Sequence, residues 1–154
     1  MHLAEGVLNK EVLIGSVFVA LPILIYSFKK MDYKDLPAVA SFSALFFIAS
    51  FIHIPIGFTS IHLILNGFIG AFLGILAIPA LFVGLLIQGL LFGYGGITVL
   101  GINLLVIGLP ALLSRFIYLK IKNSSSKIPF FILGFTTTLF TISLFTIVLL
   151  LNGE

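Results

Sequence analysis

The chain reads as an all-α integral membrane protein with about six transmembrane helices and its N-terminus outside. Three observations carry that reading. Hydrophobic residues make up 60% of its 154 positions and charged residues only 8%, where a soluble domain carries about a quarter charged residues. The mean hydropathy is +1.31. The apolar residues gather into stretches close to the about 17–25 residues that a membrane helix needs. Residues 1–154 form one transmembrane domain, with an N-terminal segment over 1–11 and a cytoplasmic loop over 120–127.

The first span runs from Val12 to Phe28. Acidic Glu5 and Glu11 stand where a signal peptide would carry positive charge, so this stretch is expected to stay as a helix. The second span runs from Leu36 to Ile54 and stops at Pro55. The third runs from Ile61 to about Ala77 and the fourth from Pro79 to about Tyr94. These two are short, and a fused or re-entrant count is the alternative. Two helices are preferred because Pro79 suits the first turn of a new one. The fifth runs from about Ile97 to Leu119 and the sixth from Ile128 to Leu151.

Lys and Arg set the orientation. Lys29, Lys30 and Lys34 follow the first span; Arg115, Lys120, Lys122 and Lys127 cluster between the fifth and sixth. With six spans both groups face the cytoplasm. The N-terminus, the Ile56–Ser60 loop, the Gly93–Gly96 turn and the C-terminus then face outward. A net charge of +3 gives no sign of nucleic-acid binding.

All three histidines fall on that outer side: His2, His53 and His62. With no cysteine, any metal must be held by nitrogen or oxygen. Methionine is normally trimmed only before small residues, so Met1 is expected to keep a free amine ahead of His2. The amine, the His2 amide nitrogen and the His2 imidazole can then close around one ion, making residues 1–11 a metal-binding segment. His62 offers a fourth nitrogen, and four nitrogens in a plane favour Ni(II) or Cu(II). Taken singly, each histidine has a plainer reading: His53 as an interfacial residue, His62 as a helix-start residue, His2 as a tail.

Asn66 stands one turn beyond His62 and either orients a ligand or bonds a neighbouring helix. Gln88 and Asn103 read as glue between helices or as support behind a site, since buried amides need partners. Gly67, Gly70 and Gly74 permit close helix packing, and Ala40 and Ala44 make a small-residue stripe. That stripe fits either internal packing or docking of a partner membrane protein. No nucleotide motif or catalytic set is present.

Three segments carry a resemblance: Met1-His2-Leu3-Ala4-Glu5-Gly6, the stretch from His53 to Gly67 with its Thr59-Ser60-Ile61-His62, and the stretch from Gln88 to Asn103. They are similar to the substrate-capture components of energy-coupling factor transporters for nickel and cobalt, the NikM/CbiM type. The resemblance implies a metal held by the Met1 amine, the His2 amide and imidazole, and His62; His53 and Asn66 are read beside it as residues standing behind these ligands or as further ligands. It implies a transmembrane coupling subunit and two cytoplasmic ATPases as partners, Ala40 and Ala44 as the docking contact, and no enzymatic activity in this chain. The family usually has a seventh span, so the expectation here is a form lacking the last helix.

The leading expectation is capture of Ni(II), with Co(II) second, by a multi-pass protein of a prokaryotic-type cell membrane. The alternatives are a metal-independent assembly subunit and a vitamin-binding subunit of the same transporter class.

Overall fold

The computed structural model describes residues 3, 5–56, 59–62, 64–93 and 95–153, with 53–56 and 59–62 as backbone alone. Among them are six α-helices: α1 (Lys10–Lys29), α2 (Leu36–Ala49), α3 (Asn66–Leu73), α4 (Ala77–Phe92), α5 (Leu100–Ile121) and α6 (Ile128–Asn152). The helical runs Lys10–Lys29, Asn66–Phe92, Leu100–Ile121 and Ile128–Asn152 are long and apolar enough to cross a membrane. The expected ends of α1, α4, α5 and α6 lie within three residues of the observed ones.

The core forms where α4 and α5 meet α2 and α3. Ile69, Ala77, Ala80, Leu81 and Ala111 are fully buried there. Glycines set the spacing. A Cβ at Gly70 would collide with the Ala111 carbonyl of α5, and one at Gly84 would meet Phe46 of α2 at 2.7 Å. By contrast α1 and α6 bury only 17% of their apolar windows. They turn Phe18 and Phe131 outward, as helices facing lipid do.

The run Asn66–Phe92 is one apolar stretch that reverses on itself. Gly74 takes φ +59°, which ends α3 and leads through a 3-10 turn, Gly74–Leu76, into α4. Asn66 bonds the Ile107 carbonyl, Ala71 meets Arg115, and Ile78 is back against Gly108. The descent along α5 and the return are therefore separate legs. The stretch divides into two helices, with the break at Gly74 instead of Ile78–Pro79. But α3 has 8 residues and α2 has 14, fewer than the about 17–25 a span needs. Among the described residues four runs, not six, are long and apolar enough to cross. Pro79 does stand in the first turn of α4, where no intrahelical N–H is needed. Arg115 Nη1 donates to the Ala71 carbonyl at 2.7 Å, so it caps the orphan carbonyls at the end of α3.

Helix α2 stops five residues short of its expected end, and α3 starts five residues late. Between them lie two antiparallel strands, β1 (His53–Ile56) and β2 (Thr59–His62), where the ends of the second and third helices and an Ile56–Ser60 loop were expected. The residues explain the change. Pro55 pushes Ile54 toward extended backbone, and Ile54, Ile56, Thr59 and Ile61 are β-branched. A two-stranded ribbon pairs the inner backbone groups of each strand with those of the other.

Packing fixes which elements share an end. Leu8, Val12 and Leu13 cluster with Val99, Ile102, Leu144 and Leu149, and Gln88 bonds Ser50 just after α2. One end therefore gathers the N-terminal segment, the ribbon, the α4–α5 turn and the end of α6. The other gathers the Gly74 turn with Lys29, Lys30, Lys120, Lys122 and Lys127.

Candidate functional site

The N-terminal segment is a docked strap. Leu3 N–H donates to Asn103 Oδ1 at 2.9 Å, and Asn103 Nδ2 donates to the Leu3 carbonyl at 3.1 Å. Both residues are buried, Leu3 to 2% exposure and Asn103 to 3%. The amide of Asn103 presents one acceptor and one donor in a plane. It therefore matches one extended backbone residue as a neighbouring strand would. Leu3 and Leu8 complete the attachment by packing on Val99, Ile102 and Val106.

Further along, Glu5 Oε1 accepts from the Thr98 N–H and the Thr98 hydroxyl, each at 3.1 Å. The Thr98 N–H and then its hydroxyl hold the Glu5 carboxyl below its ordinary pKa; burial opposes them, and the Ile97 N–H adds a smaller lowering. Asn152, at the end of α6, closes the strap. Its Nδ2 donates to the Val7 carbonyl at 2.9 Å, its Oδ1 accepts from the Asn9 N–H at 2.7 Å, and its backbone carbonyl accepts from Asn9 Nδ2 at 3.0 Å.

Met1 and His2, expected to supply three donors, lie outside the described residues. His53 and His62 are direct partners in the ribbon register, at its open end. Asn66 follows within four residues of His62 and opens α3. Its Nδ2 donates to the Ile107 carbonyl at 3.0 Å and to Thr141 Oγ1 at 2.9 Å, and its Oδ1 accepts from the Gly67 N–H. Its polar atoms all have partners, so it ties α3 to α5 and α6. Gln88 Nε2 donates to Ser50 Oγ at 2.8 Å, three residues before His53, while its buried Oε1 has no partner among the described residues. Among the described residues no three His, Cys, Asp or Glu side chains converge as metal ligands. Ala40 and Ala44 are exposed on α2.

Glu5, Thr98 and Asn152 were not expected to matter, and Asn103 was read only as glue or support. One signal was available: Asn152 is an amide at the end of a long apolar run.

Residues 2–154 match the CbiM family, described as a cobalt uptake substrate-specific transmembrane region. The chain is 41% identical over 118 residues to a candidate metal transport protein of Haemophilus influenzae, covering 77% of this chain and 57% of that protein. It is 35% identical over 111 residues to the fused nickel transport protein NikMN of Rhodobacter capsulatus, covering 68% of this chain and 32% of that one. Among solved structures it superposes on a truncated transition metal transporter with a TM-score of 0.80 and 30% identity, over 97% of this chain and 74% of the other. A second transition metal transporter matches with the same score and identity over 70% of its length. The chain thus spans 57% of the first relative's length and 32% of the second's. With its apolar helices it is a multi-pass membrane protein, and over residues 2–154 it belongs to the CbiM family of substrate-specific transmembrane components.

Proposed function

We propose that this chain captures Ni(II), with Co(II) as the second candidate, at the outer face of the membrane. The ligands are the Met1 amine, the His2 amide nitrogen and imidazole, and the His62 imidazole. The observation that carries this reading is the fixing of the Leu3 backbone by Asn103. It anchors the chain one residue from His2, at the same end as the ribbon bearing His53 and His62. The family's description speaks of cobalt and the fused relative's name of nickel. Four nitrogens in a plane favour Ni(II) over the tetrahedral preference of Zn(II).

The chain hydrolyses no ATP in this reading. It works with a transmembrane coupling subunit and two cytoplasmic ATPases, and the exposed Ala40 and Ala44 on α2 support docking of the former. The lysine-rich end faces the cytoplasm, in keeping with the positive-inside rule.

Nickel and cobalt titration of purified protein with an unblocked N-terminus tests the site. One equivalent of Ni(II) with a square-planar absorbance spectrum is expected, weakening in acid as the ligands take up protons. A short N-terminal tag abolishes binding, His62→Ala weakens it strongly and His53→Ala less so. Unchanged nickel affinity in the tagged protein overturns the proposal.

A further inference from the structure

The strap carries one carboxylate, on exposed Glu5. Glu5 reaches the turn ahead of α5, and its side chain crosses Gly96. There φ is +95°, and an added Cβ would collide with Glu5 Cγ, Cδ and Oε1. The backbone at 96 is thus shaped to let this side chain pass. Beyond it, Oε1 takes both donors of Thr98. Thr98 stands two residues before Leu100, so the carboxylate meets the positive end of the α5 dipole.

Leu3 and Glu5 are therefore held at two points on one rigid element, within six residues of each other on α5 and its leading turn. A chain tied at one residue still pivots about it. A second tie two residues away removes that rotation and fixes where the residues ahead of Leu3 begin.

We propose that Glu5 is a positioning residue for metal capture: its carboxylate, latched over Gly96 to Thr98, fixes the reach of Met1 and His2 before the ion arrives. The proposal rests on the metal site described above. Its physical content is preorganisation: a tail already ordered loses less conformational freedom when it closes around an ion.

The test uses the full chain with an unblocked N-terminus, Ni(II) as the probe, and Glu5→Ala, Glu5→Gln, Thr98→Val and the Glu5→Ala/Thr98→Val double variant. Glu5→Ala is expected to weaken nickel binding about tenfold and Thr98→Val about threefold, as an exposed charge-assisted contact warrants. Glu5→Gln falls between, because its amide oxygen still accepts. The double variant binds no more weakly than Glu5→Ala alone, since both remove one contact.

A second readout is acylation of the Met1 amine in metal-free protein, quantified on the N-terminal peptide by mass spectrometry. It accelerates in Glu5→Ala while the melting temperature holds. Wild-type nickel affinity in Glu5→Ala, an additive double variant, or a loss of affinity that tracks a fall in melting temperature overturns the latch and leaves the metal site standing. If the wild-type protein binds no nickel, the metal site falls, and unchanged amine reactivity in Glu5→Ala then overturns the latch separately.

Discussion

Replacing Asn103 by alanine separates strap docking from bundle stability. In the native protein the Asn103 amide satisfies the buried N–H and C=O of Leu3 at 2.9 and 3.1 Å. Without it, a docked strap leaves two buried backbone groups without partners, at about 1–3 kcal/mol each. The alternative is for the strap to leave. That exposes Leu3, now 2% accessible, at about 1.5–3 kcal/mol for a leucine side chain. The chain takes the cheaper course, so the loss is capped near about 3 kcal/mol. In the proposed site Met1 and His2 bind from the docked strap, so Asn103→Ala is expected to weaken nickel binding about 10- to 150-fold. Once the strap is in water its backbone groups are hydrated, and α5 keeps an apolar alanine. Stability should then fall by no more than the same about 3 kcal/mol, since the bundle's own packing is kept. Competition titration against a nickel chelator measures the first quantity and thermal unfolding in detergent the second. Nickel affinity within twofold of wild type refutes the reasoning, as does a large drop in melting temperature with affinity retained.

Three further outcomes follow from the same geometry. Gly70→Ala sets a methyl group on the Ala111 carbonyl, backbone that cannot swing aside; overpacking of about 1–3 kcal/mol should lower the melting temperature. Arg115→Met uncaps the Ala71 carbonyl at the end of α3 and should cost about 1–3 kcal/mol, with faster hydrogen exchange confined to the Gly74 turn. Glu5 has a lowered pKa in the folded chain, so its contribution is full above the ordinary glutamate value and is lost as pH falls through the lowered one. Protection of the Thr98 amide from hydrogen exchange should therefore persist through the ordinary carboxylate range and fail only in stronger acid.

The long helices were legible because hydropathy and lysine placement act over whole spans. The expected ends of α6 match to within one residue, since Lys127 and Asn152 bound an uninterrupted apolar run. What hydropathy could not show is direction. Residues 66–92 are apolar throughout, and only the positive φ at Gly74 turns one stretch into two legs. The ribbon was hidden for a related reason. Ile54, Ile56 and Ile61 raise hydropathy as much in a strand as in a helix, and the window saw a longer span. Among site residues, Asn103 was noticed as an amide that must find a partner, but not that the partner is the backbone of residue 3, a hundred positions away. Glu5 and Thr98 both stand in the segments that carry the resemblance, but nothing in those segments paired the two. An acidic residue and a threonine near apolar segments are ordinary until the fold brings them together.

The buried polar side chains share a logic that ties fold to function. In hydrocarbon, irregular backbone survives only where the protein itself satisfies it. Several long-range polar contacts here serve such a place. Asn103 answers the strap at Leu3 and Arg115 the broken end of α3, while Asn66 ties α3 to the Ile107 carbonyl of α5 and to Thr141 of α6. Gln88 holds Ser50 where α2 gives way to the ribbon. None of these groups needs to touch an ion for the site to depend on it. They stabilise the non-helical segments, and those segments carry His53, His62 and the two residues ahead of Leu3. Substituting any of these polar groups should therefore disturb metal capture through the strap or the ribbon. Substituting Phe18 of α1 or Phe131 of α6, which point away from the bundle, should leave it intact.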